Sequence, residues 1–131
     1  MRIVSVFVAS LSILGASLAS SALAADSWGS VAYSPSSKSF GTSHDFSDEG
    51  EAASRALEAC MEQRGGEDCI TAVTFANACG AVMAGPDGWG HAYDTTEEAA
   101  QSRALSACSA NSRGCDLVVS HCSPDQSIIA D

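Results

Sequence analysis

The sequence predicts an α+β domain: a duplicated strand-strand-helix-strand unit forming an antiparallel sheet with two packed helices, stapled by disulfides. Three observations carry that expectation. "SRALEAC" at residues 54–60 returns as "SRALSAC" at residues 102–108. Short apolar segments bounded by Gly, Pro and Ser turns flank each copy, as strands do. All six cysteines (60, 69, 79, 108, 115 and 122) follow an export-like leader, and an even count in that context reads as disulfides.

The leader comes first. Arg2 precedes an apolar run from Ile3 to Leu18, and Ala22-Leu23-Ala24 offers a small-residue cleavage site, so residues 1–24 read as a signal peptide. The competing reading, an uncleaved anchor helix, is weakened by Ser5, Ser10, Ser12 and Gly15, which interrupt the ~20 apolar residues that a span needs. Cleavage after Ala24 leaves residues 25–131 as a single α+β domain of two internal repeats, about 27–79 and 79–122. That length suits one hydrophobic core.

Within the first repeat, "WGSVAYS" reads as a strand, "SPSSK" as a turn and "SFGTSH" as the return strand. Asp48 and Glu51 have capping-box spacing at the start of a helix that runs to Cys60. The second repeat answers with "CGAVMAG", a "GPDG" turn, "WGHAY", a helix opened by Thr95 and Glu98, and Cys108 at its end. Ala52, Ala56, Leu57 and Cys60, matched by Ala100, Ala104, Leu105 and Cys108, form one helical stripe whose small side chains let each helix lie close to a sheet. The closing segments "CITAVTF" and "CDLVVSHC" are the most β-branched and are expected near the sheet centre.

The repeat also narrows the disulfide pairing. Each helix ends on a cysteine, and after a short polar loop the next strand begins on another. Cys60–Cys69 and Cys108–Cys115 are therefore expected as equivalent local staples. Cys79 and Cys122 remain, at positions that the alignment equates, and are expected to join the two halves.

The blocks "WGSVAYS", "FGTSHDFSDEGEAASRALEAC", "DCITAVTFANACGAVMAG" and "GWGHAYDTTEEAAQSRALSAC" together resemble a bacterial secreted family, domain-of-unknown-function family 4189. The resemblance runs from Trp28 to Cys122. It implies an exported protein of this fold and supplies no active-site residue.

The formal charge of −10 becomes −11 once Arg2 leaves with the leader. Such a chain is repelled by phosphate backbones and anionic lipid heads, which argues against nucleic acid and membrane surfaces as partners. No cofactor is expected. No metal site is expected either: the acids around the first helix (Asp45, Asp48, Glu49, Glu51, Glu58, Glu62, Glu67 and Asp68) lack a calcium-loop spacing and read as a solvated face. No G-x-S-x-G or H-E-x-x-H pattern occurs. His44 and Asp45, on the approach to the first helix, and His91, on that of the second, are the contact candidates, with Trp89 beside the "GPDG" turn. His121 reads as a strand residue near a bridge. The expected role is a secreted, monomeric interaction module for a protein or cell-envelope partner. The alternatives are a small hydrolase using His44 and Asp45, or a structural envelope or stress protein.

Overall fold

Residues 25–125 are described by the computed structural model; the expected signal peptide, residues 1–24, lies outside them. The chain runs through β1 (Trp28–Tyr33), β2 (Phe40–Phe46), α1 (Glu49–Met61), β3 (Ile70–Ala76), β4 (Ala78–Ala84), β5 (Trp89–Asp94), α2 (Glu97–Ser109) and β6 (Asp116–Ser123). A 3-10 turn at Gly66–Asp68 precedes β3.

The fold is α+β with antiparallel strands and two helices, and the strands divide into two three-stranded sheets, ordered β2-β1-β3 and β5-β4-β6. One residue, Asn77, separates β3 in the first sheet from β4 in the second, and it takes a left-handed backbone with φ 52°. Its side chain accepts from the Ser27 N–H and donates to Asp26, which fits an Asn that satisfies its surroundings locally in such a conformation.

The sheets pack face to face. Val31 and Tyr33 of β1, Val73 and Phe75 of β3, Val82 of β4 and Val119 of β6 belong to one buried cluster between them. Alternation along each strand sends the intervening residues to the outer faces. There Ala32 meets Ala56 and Cys60 of α1, and Ala81 and Met83 meet Ala100, Ala104 and Cys108 of α2. The order of layers is helix, sheet, sheet, helix.

The central strands are β1 and β4, not the β-branched closing strands β3 and β6, which lie at sheet edges. The reason is coverage. Every residue of β4 is buried, between a helix and the opposite sheet, and small side chains fit that double contact. By contrast, Ile70 at the start of β3 and Leu117 near the start of β6 are each 46% exposed.

Small residues also set the helix-to-sheet distance. A β-carbon on Gly41 would stand 2.2 Å from the Ala56 carbonyl oxygen and 2.3 Å from the Cys60 nitrogen. One on Gly90 would stand 2.2 Å from the Cys108 nitrogen. Backbone therefore approaches backbone in both halves, and the alanine stripe faces inward, with Ala52, Ala56, Ala100 and Ala104 fully buried. Leu105 departs from that stripe. It is 42% exposed, while its counterpart Leu57 packs partly against the α1 contact.

At the helix starts, the Asp48 carboxylate accepts from the Glu51 N–H, an N-cap that satisfies one of the first-turn donors. In α2 the cap is Thr96, which accepts from Ala99 N–H, and not Thr95. The N–H and hydroxyl of Thr95 are both taken by Asp94, leaving the next residue to cap the helix.

The disulfides are Cys60–Cys69, Cys108–Cys115 and Cys79–Cys122, the three pairs that the spacing predicts. The first two close the loop after each helix. The third does not join the halves: Cys79 and Cys122 are cross-strand partners of β4 and β6 within the second sheet. The corresponding partners in the first sheet are Trp28 and Ala76. Cys79 and Cys122 are thus opposite positions of one unit, because each half has its own opening and closing strand side by side.

Candidate functional site

Two places gather the chemistry-bearing side chains. At the first, β2 of one sheet meets β6 of the other. His44 Nδ1 and His121 Nε2 are 2.9 Å apart, one donating and the other accepting. His44 Nε2 lies 3.8 Å from Asp45 and 4.0 Å from Asp125. Asp45 holds φ 61°, and its N–H donates to the Ser123 hydroxyl while its carboxylate accepts from Ser27. Burial, followed by the nearby His44, holds the His121 imidazole below its ordinary pKa.

These groups are bonded to one another in a way that ties β2 to β6. The Ser27 hydroxyl engages Asp45 and Ser123, and His44 engages His121, so the bonds do not assemble a serine–histidine relay of the kind that activates a nucleophile. The register explains the position. Phe75 stands in β3 where His121 stands in β6, and Tyr93 in β5 where His44 stands in β2. Phe75 and Tyr93 border one shallow pocket. The histidine pair thus occupies the strand positions that Phe75 and Tyr93 occupy in β3 and β5.

The second place is at the other end of the strands, where the two hairpin turns, residues 34–39 and 85–88, lie side by side. Trp89 is half-buried against the inter-sheet cluster, with its ring 5.1 Å from that of Tyr33 and 5.6 Å from that of His91. On one side of the indole a concavity of about 240 Å³ is bordered by Tyr33, Pro35, Lys38 and Pro86. On the other, one of about 340 Å³ is bordered by His91, Ala107 and Asn111. The indole is a ridge between two hollows.

Both turns are held from behind. The Ser34 and Ser36 hydroxyls donate to the Asp68 carboxylate, fixing the first turn to the loop after α1. Ser112, in the loop after α2, accepts from the Asp87 N–H of the second turn. The serine hydrogen bonds hold Asp68 below the usual carboxylate range, so it stays ionised at neutral pH. Tyr33 is almost fully buried, and burial, then the charge of Asp68, raises its pKa. Its hydroxyl therefore remains a donor.

The sequence candidates are thus placed apart. His44 and Asp45 lie at the β2–β6 junction, while Trp89 and His91 lie on β5, at the opposite edge of the second sheet from β6. Sequence reading missed the partnership of His44 with His121, and the contribution of Tyr33, Pro35 and Lys38 to the Trp89 end. One signal was present: Lys38 is a lone cation in a serine turn. Among the described residues no group of three His, Cys, Asp or Glu side chains converges to hold a metal ion.

Three disulfides suit an oxidising compartment, and no described helix is long and apolar enough to cross a membrane. No curated protein and no solved structure matches the chain. One family model, described as a domain of unknown function, matches residues 28–122, from the first residue of β1 almost to the end of β6. The chain belongs to that family, DUF4189.

Proposed function

We propose that this protein is an exported, non-catalytic interaction module, and that it engages a protein partner, in the cell envelope or beyond it, through the turn end around Trp89. In this reading residues 1–24 are removed and residues 25–131 act as one monomeric domain built from two copies of the same unit. The carrying observation is the Trp89 ridge with a hollow on either side, presented by two turns that are each anchored to a disulfide-closed loop. A half-buried aromatic fixed against the core and bordering two preformed hollows suits binding, because little ordering entropy is lost on association. The acidic surface directs the choice toward a protein rather than nucleic acid. The His44–His121 contact serves in this account as a joint between the sheets.

The test uses a photo-crosslinking residue in place of His91, which is exposed beside the ridge, and another in place of Gln63, exposed after α1. Envelope and secreted fractions of the producing cell supply the partner. A discrete protein adduct from position 91 and none from position 63 is the expected result. Equal labelling from both positions would remove the assignment of this end. N-terminal sequencing of the native protein should begin at Ala25, and a chain in the membrane fraction beginning at Met1 would overturn export.

A further inference from the structure

We propose that β5 takes up an additional strand from a partner protein, an extended segment with β-branched or aromatic residues at alternate positions. This inference rests on the interaction-module reading and names how the partner docks beside Trp89. Four strands lie at sheet edges: β2, β3, β5 and β6. Three of them carry an extra residue where they pair with the central strand. In β2, His44 and Asp45 stand against Gly29 alone; in β3 the extra residue is Ala72, and in β6 it is Val118. Such bulges break the regular row of main-chain groups and keep an edge from pairing with another chain. The β5 edge has none. Its register with β4 runs unbroken from Ala84↔Trp89 to Cys79↔Asp94.

The register also fixes which groups face outward. The Gly85 N–H donates to the Gly88 carbonyl across the two-residue turn, and opposed residues of an antiparallel pair alternate between bonded and unbonded. Gly90, Ala92 and Asp94 therefore turn their main-chain groups toward β4, while Trp89, His91 and Tyr93 turn theirs away from it. The Tyr93 carbonyl accepts from Arg103 Nη1 at 3.0 Å, as an outward-facing group can, and there the open row ends. From Trp89 to the Tyr93 N–H, donors and acceptors alternate at strand spacing. That row selects an extended polypeptide, whose own main chain carries the same repeat; a sugar does not.

Side chains set the rest. Trp89, His91 and Tyr93 share one face of β5, with the Trp89 and His91 rings 5.6 Å apart. Aromatic residues pair favourably across strands with aromatic or β-branched ones. Toward α2, beside Gly90, the hollow of about 340 Å³ lies between the strand and Ala107 and Asn111, where it receives a side chain from the other face of the added strand. Charge opposes a second copy of this chain as the occupant, since each copy carries a formal −10.

The experiment follows backbone amide exchange by NMR in the isotope-labelled, disulfide-bonded protein. The probe is a capped peptide that alternates valine and threonine between terminal arginines. In the free protein the Trp89, His91 and Tyr93 amides should exchange faster than those of Gly90 and Ala92. Saturating peptide should slow exchange at Trp89 and His91 about tenfold or more and leave Gly90 and Ala92 as they were. His91→Pro removes one outward N–H without touching the β4 ladder, and should weaken binding about tenfold. Ala107→Gln, which fills the hollow from the helix side, should weaken it as well; both variants are first shown to melt cooperatively with their disulfides closed. Unchanged exchange at Trp89 and His91 in millimolar peptide would overturn the proposal. So would protection of the same amides without peptide, in a dimer detected by sedimentation. If position 91 still crosslinks one protein while the peptide protects nothing, the module stands and strand addition alone fails.

Discussion

Replacing Gly41 by alanine tests how this fold is held together. A glycine-to-alanine change in a strand that can accept a side chain stabilises a protein by roughly 0.4–1 kcal/mol, through the unfolded chain. Here the new methyl group would stand 2.2 Å from the Ala56 oxygen and 2.3 Å from the Cys60 nitrogen, against 3.4 Å for ordinary contact. Helix α1 would have to retreat by about 1 Å, since backbone cannot rotate aside as a side chain does. Retreat is opposed by the Ser43 hydroxyl, which donates to the Ala52 carbonyl at 2.6 Å, and by the Cys60–Cys69 bridge. Overpacking of this kind costs about 1–3 kcal/mol. The upper end is expected because both contacted atoms are main chain. For a domain this size about 3 kcal/mol lowers Tm by about 12–24 °C. The assay is thermal and urea unfolding of the oxidised protein by circular dichroism, with mass spectrometry confirming three closed disulfides. Gly90→Ala, against the Cys108 nitrogen, should behave alike. Stability within about 0.5 kcal/mol of the parent, or above it, would refute the close helix-to-strand contact.

Further outcomes follow from the bridges and the histidine pair. Replacing Cys79 and Cys122 together by alanine should cost about 4 kcal/mol, against about 2.5 kcal/mol for either local pair, because the loop they close is longer; unfolding of the three double variants in urea ranks them. His121 has a folded pKa below 6.5, from burial and the facing His44, with Asp45, Asp125 and Glu97 opposing. The unfolded chain then takes up that proton more readily, so this contribution is whole above about pH 6.5 and is lost as pH falls toward the folded pKa. His121→Phe, which copies Phe75 in the other half, should flatten the decline in Tm between pH 7.5 and 5. A decline of unchanged slope would place the titrating group elsewhere.

The elements were legible because local chemistry encodes them. Asp48 caps a helix whatever it packs against, and a cysteine at a helix end finds the cysteine at the next strand start across a short loop. The partition into two sheets was not legible. It turns on Asn77, a single residue at which the chain leaves one sheet and enters the other, and on strands such as β4 that are buried on both faces and so lack the alternation that marks a half-exposed strand. Equating Cys79 with Cys122 had the same origin: a cysteine match outweighed the register, which places Cys79 with Trp28. At the candidate site, Trp89 and His91 could be singled out by residue type and turn position. Tyr33 could not, because its relation to Trp89 exists only once the two hairpins lie side by side.

The central claim is that the turn end around Trp89 is where this protein meets its partner. The chain has two tryptophans, and each opens its strand, Trp28 at the end of β1 away from the first hairpin turn and Trp89 at the start of β5 directly after the second. The direct measurement is the affinity of the partner captured at position 91 for Trp89→Ala and Trp28→Ala proteins, both first shown to melt cooperatively with their disulfides closed. Loss of an aromatic anchor at an interface costs 2 kcal/mol or more, so Trp89→Ala should weaken binding by about 30-fold or more, with Trp28→Ala close to the parent. Equal affinities for the two variants, or a loss confined to Trp28→Ala, would contradict the account.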